Sequence, residues 1–418
     1  MTNATPGPVP AAPTDHGAAG ADPRPRAILT ALCITEITSW GVLYYAFPVL
    51  APTITADTGW STPAITAAFS AALVVSALVG IPVGRLLDRR GPHLVMTAGS
   101  TIAALSVLAI AVAPNLAAFA AAWILAGVAM AAVLYQPAFA ALTRYYGPRR
   151  LAALTTLTLV AGLASTVFAP LTDVLTGHLS WRGVYLVLAA VLAAVTIPLH
   201  ALALRRPWPD VQDQSLGEKR SAAERKQIRR TVRSRPFVLL ALALTLSGFA
   251  MYALLTNLIP LLTHRGASPT LAAWALGLGG VGQVAGRLGY GLLARRTSVR
   301  ARTSGVLVLS AATTAALAVV PGPVIALVAI AVLAGAARGI ATLLQATAVT
   351  DRWGPAHYGA LSGILLAPTT IAGAVAPFTG AALATALGGY PPLFVVLALV
   401  TGIAALLAYG TVPDSARR

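Results

Sequence analysis

Residues Arg205–Arg235 read RRPWPDVQDQSLGEKRSAAERKQIRRTVRSR, the one long polar stretch in the interior of the chain. It carries ten of the 29 Lys and Arg residues and no apolar run long enough to form a core. On either side lie blocks of similar size, 27–204 and 236–410, almost continuously apolar and broken by short charged or Pro/Gly-containing turns. Two membrane-embedded halves joined by a basic loop would have this layout. A two-domain soluble protein with a linker would share it, but composition argues against that. Of 418 residues, 57% are hydrophobic and 10% charged, with a mean hydropathy of +0.79. Soluble domains carry about 25% charged residues.

With 12 acids against 29 bases the net charge is +17, which raises nucleic-acid binding as a function. The basic residues, however, stand in short clusters between apolar runs, where they hold loops in the cytoplasm and meet anionic lipid headgroups. Nucleic acid is therefore not an expected partner. The single cysteine, Cys33, sits in an apolar run with no metal-ligand spacing around it. No metal or cofactor is expected. Residues 1–26, rich in Pro, Ala and Gly, lack the basic start and apolar core of a signal peptide and are expected to be a disordered cytoplasmic tail. Residues 411–418 make a second short tail.

A membrane span needs about 20 predominantly apolar residues. The first half offers 27–52, 62–84, 94–113, 116–139, 151–174 and 182–204; the second offers 236–262, 270–293, 303–321, 324–348, 357–379 and 389–410. Two pairs are separated only by Pro114-Asn115 and Pro321-Gly322-Pro323, which are helix-breaking turns. The expectation is an all-α membrane protein of twelve transmembrane helices in two six-helix bundles. If the N-terminus is cytoplasmic, 25 of the 29 basic residues fall on the cytoplasmic side and only Arg182 and Arg265 on the other. That asymmetry places both termini inside a cytoplasmic or inner membrane. The two remaining arginines, Arg287 and Arg338, fall within helices.

The halves echo one another. LLDRRG (Leu86–Gly91) follows the second span and LLARRT (Leu292–Thr297) the eighth; TRYYGPRR (Thr143–Arg150) follows the fourth and TDRWGPAHY (Thr350–Tyr358) the tenth. Parallel six-helix repeats related by an axis normal to the membrane would leave such a record.

With these features the chain resembles the major facilitator superfamily of secondary transporters over about residues 27–410. Gly84-Arg85-Leu86-Leu87-Asp88-Arg89-Arg90-Gly91 matches that superfamily's loop after the second helix, G-x-x-x-D-R-x-G. The resemblance implies a conformational latch carried by Gly84, Asp88, Arg89 and Gly91. Glycine would permit close helix approach and the acid would hold a helix N-terminus or a basic partner in one state only. The second copy has Ala294 where an acid might stand, so the latch is asymmetric.

Within the superfamily the chain is similar to the monocarboxylate transporter and oxalate/formate antiporter group. Glu36–Pro48, EITSWGVLYYAFP, followed by Thr58-Gly59-Trp60-Ser61, looks like that group's opening helix and its G-W-S turn. Gln283–Gly291, QVAGRLGYG, resembles the segment in which a helix arginine contacts the carboxylate substrate. Animal relatives carry an aspartate four residues before that arginine, where this chain has Gln283. The antiporters place a lysine in helix eleven; 357–379 has no Lys or Arg.

The candidate site follows from polar residues in apolar helices. Glu36, Trp40 and Tyr44 are spaced by four and share one helix face. Glu36 is a titratable proton-coupling site, a carboxylate locked in a structural salt bridge, or a residue near the interface if the span boundary lies elsewhere. Arg287 binds an anionic substrate or snorkels to the interface. Arg338, deeper in its helix, is a second anion contact or the resting partner of Glu36. Gln136 and Gln345 line the same cavity or only satisfy a backbone group, and Asn257 and Tyr252 are candidate hydrogen-bonding pocket residues. Glycines at 80, 127, 277, 279, 280, 282 and 286 suit close helix contacts. No nucleotide-binding loop or hydrolytic triad is present, so an enzyme is not expected.

The leading reading is a secondary transporter of a small organic anion, coupled to a proton, working by alternating access. The alternative is a drug or metabolite exporter of the same fold, in which Trp40, Tyr44, Tyr135 and Tyr252 line a broad pocket and Glu36 recognises a cation. A transport-dead sensor would need a folded extramembrane domain, and no such stretch is evident. The sequence carries no signal for oligomeric state. Arg205–Arg235 itself reads as a tether, either flexible or containing a short amphipathic helix in EKRSAAERKQIRR.

Overall fold

The computed structural model of the chain describes residues 24–146, 150–206, 208, 222–354 and 358–411, and all regular structure among them is helical. Residues 1–23 of the expected tail, 209–221 of the linker and 412–418 lie outside the described residues, whereas Arg24–Arg26, also expected in the tail, begin the first helix.

The first half begins with α1 (Arg24–Trp40), a five-residue π turn (Gly41–Tyr45) and α2 (Ala46–Thr58), which together make one continuous apolar segment. It is followed by α3 (Thr62–Arg90), α4 (Pro92–Ala111), the broken pair α5 (Leu116–Val133) and α6 (Tyr135–Tyr146), the broken pair α7 (Arg150–Ala161) and α8 (Ala164–Thr176), and α9 (Trp181–Ala203). After the linker helix α10 (Ala222–Val232) come α11 (Arg235–His264), α12 (Pro269–Arg296), α13 (Val299–Val319), α14 (Val324–Thr347), the one-turn α15 (Thr350–Trp353), α16 (Tyr358–Ala386) and α17 (Tyr390–Tyr409). Ser61, Asn115, Ser180, Ser268 and Ser298 cap helix starts, each side chain accepting an otherwise orphaned N–H.

Eleven segments among the described residues are long and apolar enough to cross a membrane. The helix α12, where the eighth span was expected, is not among them, although its 28 residues suffice in length. Glycines, Gln283 and Arg287 lower its apolarity, for a structural reason given below. The expected first span, 27–52, is longer in the structure: helix starts at Arg24 and runs through Pro52 to Thr58. Interruptions within spans, at Gly41–Tyr45, Leu134 and Gly162-Leu163, were not expected either. The linker is in part helical, through α10.

Helix pairs repeat between the halves. α3 packs on α5, α4 on α9 and α1 on α9; correspondingly α12 packs on α14, α13 on α17 and α11 on α17. The halves meet through α3 with α16 and α8 with α12, two contacts that exchange under the same correspondence. The largest apolar cluster crosses between the halves, joining Tyr44, Phe47, Leu50 and Phe69 to Leu254, Leu258, Leu261 and Leu276. Toward the opposite, basic end the apolar clusters separate, one around Ile28, Met96 and Leu142 and another around Phe237, Tyr290 and Leu361. One end of the interface is thus sealed and the other divided.

Each half also has a tie of its own. At the sealed end, Asp57 Oδ2 accepts from Trp181 Nε1 at 2.8 Å and Arg182 Nη1 at 2.9 Å, and Arg182 Nη2 donates to Ala113 O at 3.1 Å. At the basic end, Arg302 pairs with Asp351 at 2.5 Å, and Thr347 donates to the same carboxylate oxygen at 3.0 Å. Beside it, Arg352 donates to Thr303 Oγ1 at 2.7 Å and to Thr411 O at 3.1 Å. Burial pushes the Arg352 guanidinium down to about 10, with the Asp351 carboxylate opposing that shift.

Candidate functional site

The site is built where the interrupted helices of the first half face the glycine-rich helices of the second. In α12 and α14 the glycines interlock. A Cβ at Gly282 would strike Val332 O and one at Gly286 Ala336 O, while Gly335 and Gly339 of α14 rest on Gly279 and Gln283 of α12. Such contact brings the two backbones together as only glycine permits. It also fixes Arg338 beside Gln283, where the guanidinium Nε donates to Gln283 Oε1 at 2.8 Å. The low apolarity of α12 is the consequence of this packing.

A second glycine face carries α12 against α8. Gly280 lies on Ser165 and Thr166, Gly277 on Pro170, and Thr166 Oγ1 donates to Gly277 O at 2.8 Å. Two turns beyond Gly280, Arg287 crosses to the first half and its Nη1 donates to Thr158 O. Gly162, at the break between α7 and α8, makes room: its Cβ would sit 2.9 Å from Arg287 Nη1. On the other side of the interface Ser70 Oγ accepts from Phe378 N at 3.0 Å.

Between the halves lies a cavity of about 310 Å³, lined from one side by Trp40, Tyr44, Tyr135 and Gln136 and from the other by Tyr252, Gln345 and Thr369. Its rings form a chain: Trp40 lies 5.1 Å from Tyr135 and 5.6 Å from Tyr44, and Tyr44 lies 6.3 Å from Tyr252 across the interface. The π turn widens the first helix at this level, and Gly41 within it lies against the Phe168 ring. π turns of this kind recur at functional sites.

Glu36 is fully enclosed (0% exposed), and neither carboxylate oxygen has a hydrogen-bond partner. The Trp40 indole interacts with it one turn along without reaching normal hydrogen-bond geometry. The salt-bridge alternative for Glu36 therefore has no counterpart here, and Arg338 takes Gln283 rather than Glu36 as its partner. Tyr135 lies within electrostatic range of both Glu36 and Arg287, Tyr252 of Arg287 and Arg338, and Tyr44 of Arg338. Arg287 Nε and Arg338 Nη2 are buried without a partner, as are Tyr44 Oη and Thr369 Oγ1.

The sequence-derived candidates divide accordingly. Trp40, Tyr44, Gln136 and Gln345 share the cavity with Tyr252 and Tyr135. Arg287 and Arg338 are not on its wall; Arg338 borders a small separate space of about 40 Å³ within the second half. Asn257 is withdrawn from the cavity: its amide donates to Ala253 O at 2.8 Å and packs against Gly380. At the expected latch, Gly84 has open space where a Cβ would stand, so close helix approach does not explain it. Gly91 turns the chain at φ 75° with Trp208 packed 3.2 Å from where its Cβ would be, and Arg89 is exposed. The side chain of Asp88 lies outside the described residues. Thr158, Gly162 and Thr369 were not anticipated. A backbone carbonyl and a lone glycine leave no residue-type signal.

Comparison with known proteins agrees with this architecture. The Spinster-like bacterial transporter homologous to a human lysosomal transporter, solved inward-facing and occupied, superposes with a TM-score of 0.73 at 17% identity, covering 93% of this chain and 97% of that one. The nucleoside transporter NupG superposes with a TM-score of 0.72 at 13% identity, covering 93% and 99%. In sequence, monocarboxylate transporter 13 of Bos taurus is 30% identical over 219 residues, 51% of this chain and 49% of that protein. The Rattus norvegicus protein of the same name is 29% identical over 219 residues, 51% and 48%. The matched region thus spans about half the length of these curated relatives. The sequence profile described as Major Facilitator Superfamily matches residues 32–327 and 240–418, together nearly the whole chain. Repeated helix pairs, a cavity between the halves and that match lead to one assignment: the chain belongs to the major facilitator superfamily, a family of transporters rather than enzymes.

Proposed function

We propose that this protein carries a small organic monocarboxylate together with a proton across the cytoplasmic membrane by alternating access. The observation that carries the reading is the set of three ionisable groups without opposite charges. Glu36 is enclosed and unpartnered, while Arg287 and Arg338 donate to a neutral carbonyl and a neutral amide. Unpaired charge inside a membrane domain is costly and marks sites of binding or proton transfer. A carboxylate is the ligand two guanidinium groups lack, and a proton is what Glu36 lacks.

In this account α12 is a membrane span, giving twelve, with both termini and the basic loops in the cytoplasm. The sealed end then faces outward and the divided end inward. Substrate entering the cavity draws Arg287 from Thr158 O, which loosens the α8–α12 contact and lets the halves rock. Latch residues Gly84, Asp88, Arg89 and Gly91 act at the cytoplasmic end, and the basic loops meet anionic lipids. The relatives named as monocarboxylate transporters support the substrate class.

A second reading, export of a lipophilic drug or metabolite, is favoured by the ring-lined cavity wall, which carries no arginine. Purified protein in proteoliposomes with an imposed pH gradient separates the two. Accumulation of lactate or pyruvate driven by the inward proton gradient is expected. Proton-driven movement of a lipophilic cation without carboxylate uptake would replace the first reading by the second.

A further inference from the structure

We infer that the cavity is shaped for a carboxylate bearing an aromatic ring, an aryl or arylalkyl monocarboxylate, rather than for a short aliphatic acid; the inference rests on the carboxylate reading above. A space of about 310 Å³ reaches the lower end of the pockets that enclose drug-sized ligands. A three-carbon acid would leave most of it to water. Four rings, Trp40, Tyr44, Tyr135 and Tyr252, face this space from both halves. Trp40, Tyr135 and Tyr252 are only partly buried, although each lies well inside its membrane-crossing helix. Ring surface presented to a cavity at that depth prefers another ring, which can take offset or edge-to-face positions.

The polar groups on the wall are suited to the same guest. Gln136 and Gln345 are neutral amides, and Tyr44 Oη and Thr369 Oγ1 are buried without partners, so they can serve a ring substituent but not neutralise an acid. The charge that can do so stands off the cavity wall. Arg338 is within electrostatic range of Tyr44 and Tyr252, and Arg287 of Tyr135 and Tyr252. The guest would therefore point its carboxylate between the arginines and its ring into the aromatic chamber.

Three 2-hydroxy acids that share one head group test this: lactate, 3-phenyllactate and 3-cyclohexyllactate, titrated calorimetrically into the full chain in lipid nanodiscs. The expected result is 3-phenyllactate binding at least about tenfold tighter than lactate and about threefold tighter than its saturated counterpart. Trp40→Ala should weaken 3-phenyllactate about tenfold and lactate about threefold or less, and Trp40→Phe should restore most of the difference. Arg287→Gln should weaken both acids alike. Lactate binding as tightly as 3-phenyllactate would overturn the ring inference alone, as would equal binding of the phenyl and cyclohexyl acids. Binding of none of the three would overturn the carboxylate reading with it.

Discussion

The two halves share a packing scheme and differ in how they hold charge. In the first half, an interrupted helix carries one acid, Glu36, enclosed with neither carboxylate oxygen hydrogen-bonded. In the second, two arginines stand on or beside a pair of glycine-meshed helices, each given a neutral oxygen. Acid and bases lie near one another, with Tyr135 feeling both signs, yet they do not pair. An ion pair of good geometry would offset part of the cost of burying these charges, and none is formed. In the proposed function, their separation leaves the bases for a substrate and the acid for a proton. The basic ends differ in the same spirit. The first-half turn holds its acid within the motif at Asp88; the second half draws Asp351 from the next turn to meet Arg302.

Breaking the second half's charge should have the largest effect. Arg287→Gln is expected to cost about 3 kcal/mol in carboxylate binding, read as a loss of more than about a hundredfold in affinity by calorimetry. Loosening its scaffold comes next. Gly282→Val places two methyl groups against Val332 O, and overpacking of this kind costs about 1–3 kcal/mol; thermal unfolding in detergent should show it, with Arg338 losing Gln283. A smaller effect is expected where the halves meet. Gly162→Ala crowds Arg287 Nη1 away from Thr158 O, so the seal should open more often, and the Phe378 amide that donates to Ser70 should exchange several-fold faster with solvent deuterium. The smallest concerns the first half's outer tie. Asp57→Asn weakens a partly exposed pair with Arg182 and should lower stability by at most about 1 kcal/mol.

Much of the architecture was legible because apolar runs and their punctuation are composition signals. Pro114-Asn115 and Pro321-Gly322-Pro323 separate helices in the structure as they do in the sequence. Trp40 and Tyr44 were found from their spacing, and the π turn keeps both on the cavity. The limits are physical. The breaks at Leu134 and Gly162-Leu163 contain no proline and no charge, so apolarity runs straight through them. Arg287 was recognisable, but its partner is a main-chain oxygen, which any residue at 158 would supply. Gln283 drew notice as a missing acid, whereas its role in the structure is to hold Arg338. Asn257 illustrates the reverse error: an amide in an apolar helix suggested a pocket and instead satisfies its own helix.

The account turns on Glu36 as the proton site. Its most direct test is substrate-driven proton uptake in proteoliposomes containing the full chain, wild type against Glu36→Gln. The account predicts that the wild type acidifies the lumen when carboxylate is added outside. The variant should still exchange labelled for unlabelled carboxylate but move no protons. Proton uptake retained in the variant at the wild-type ratio to substrate would contradict it.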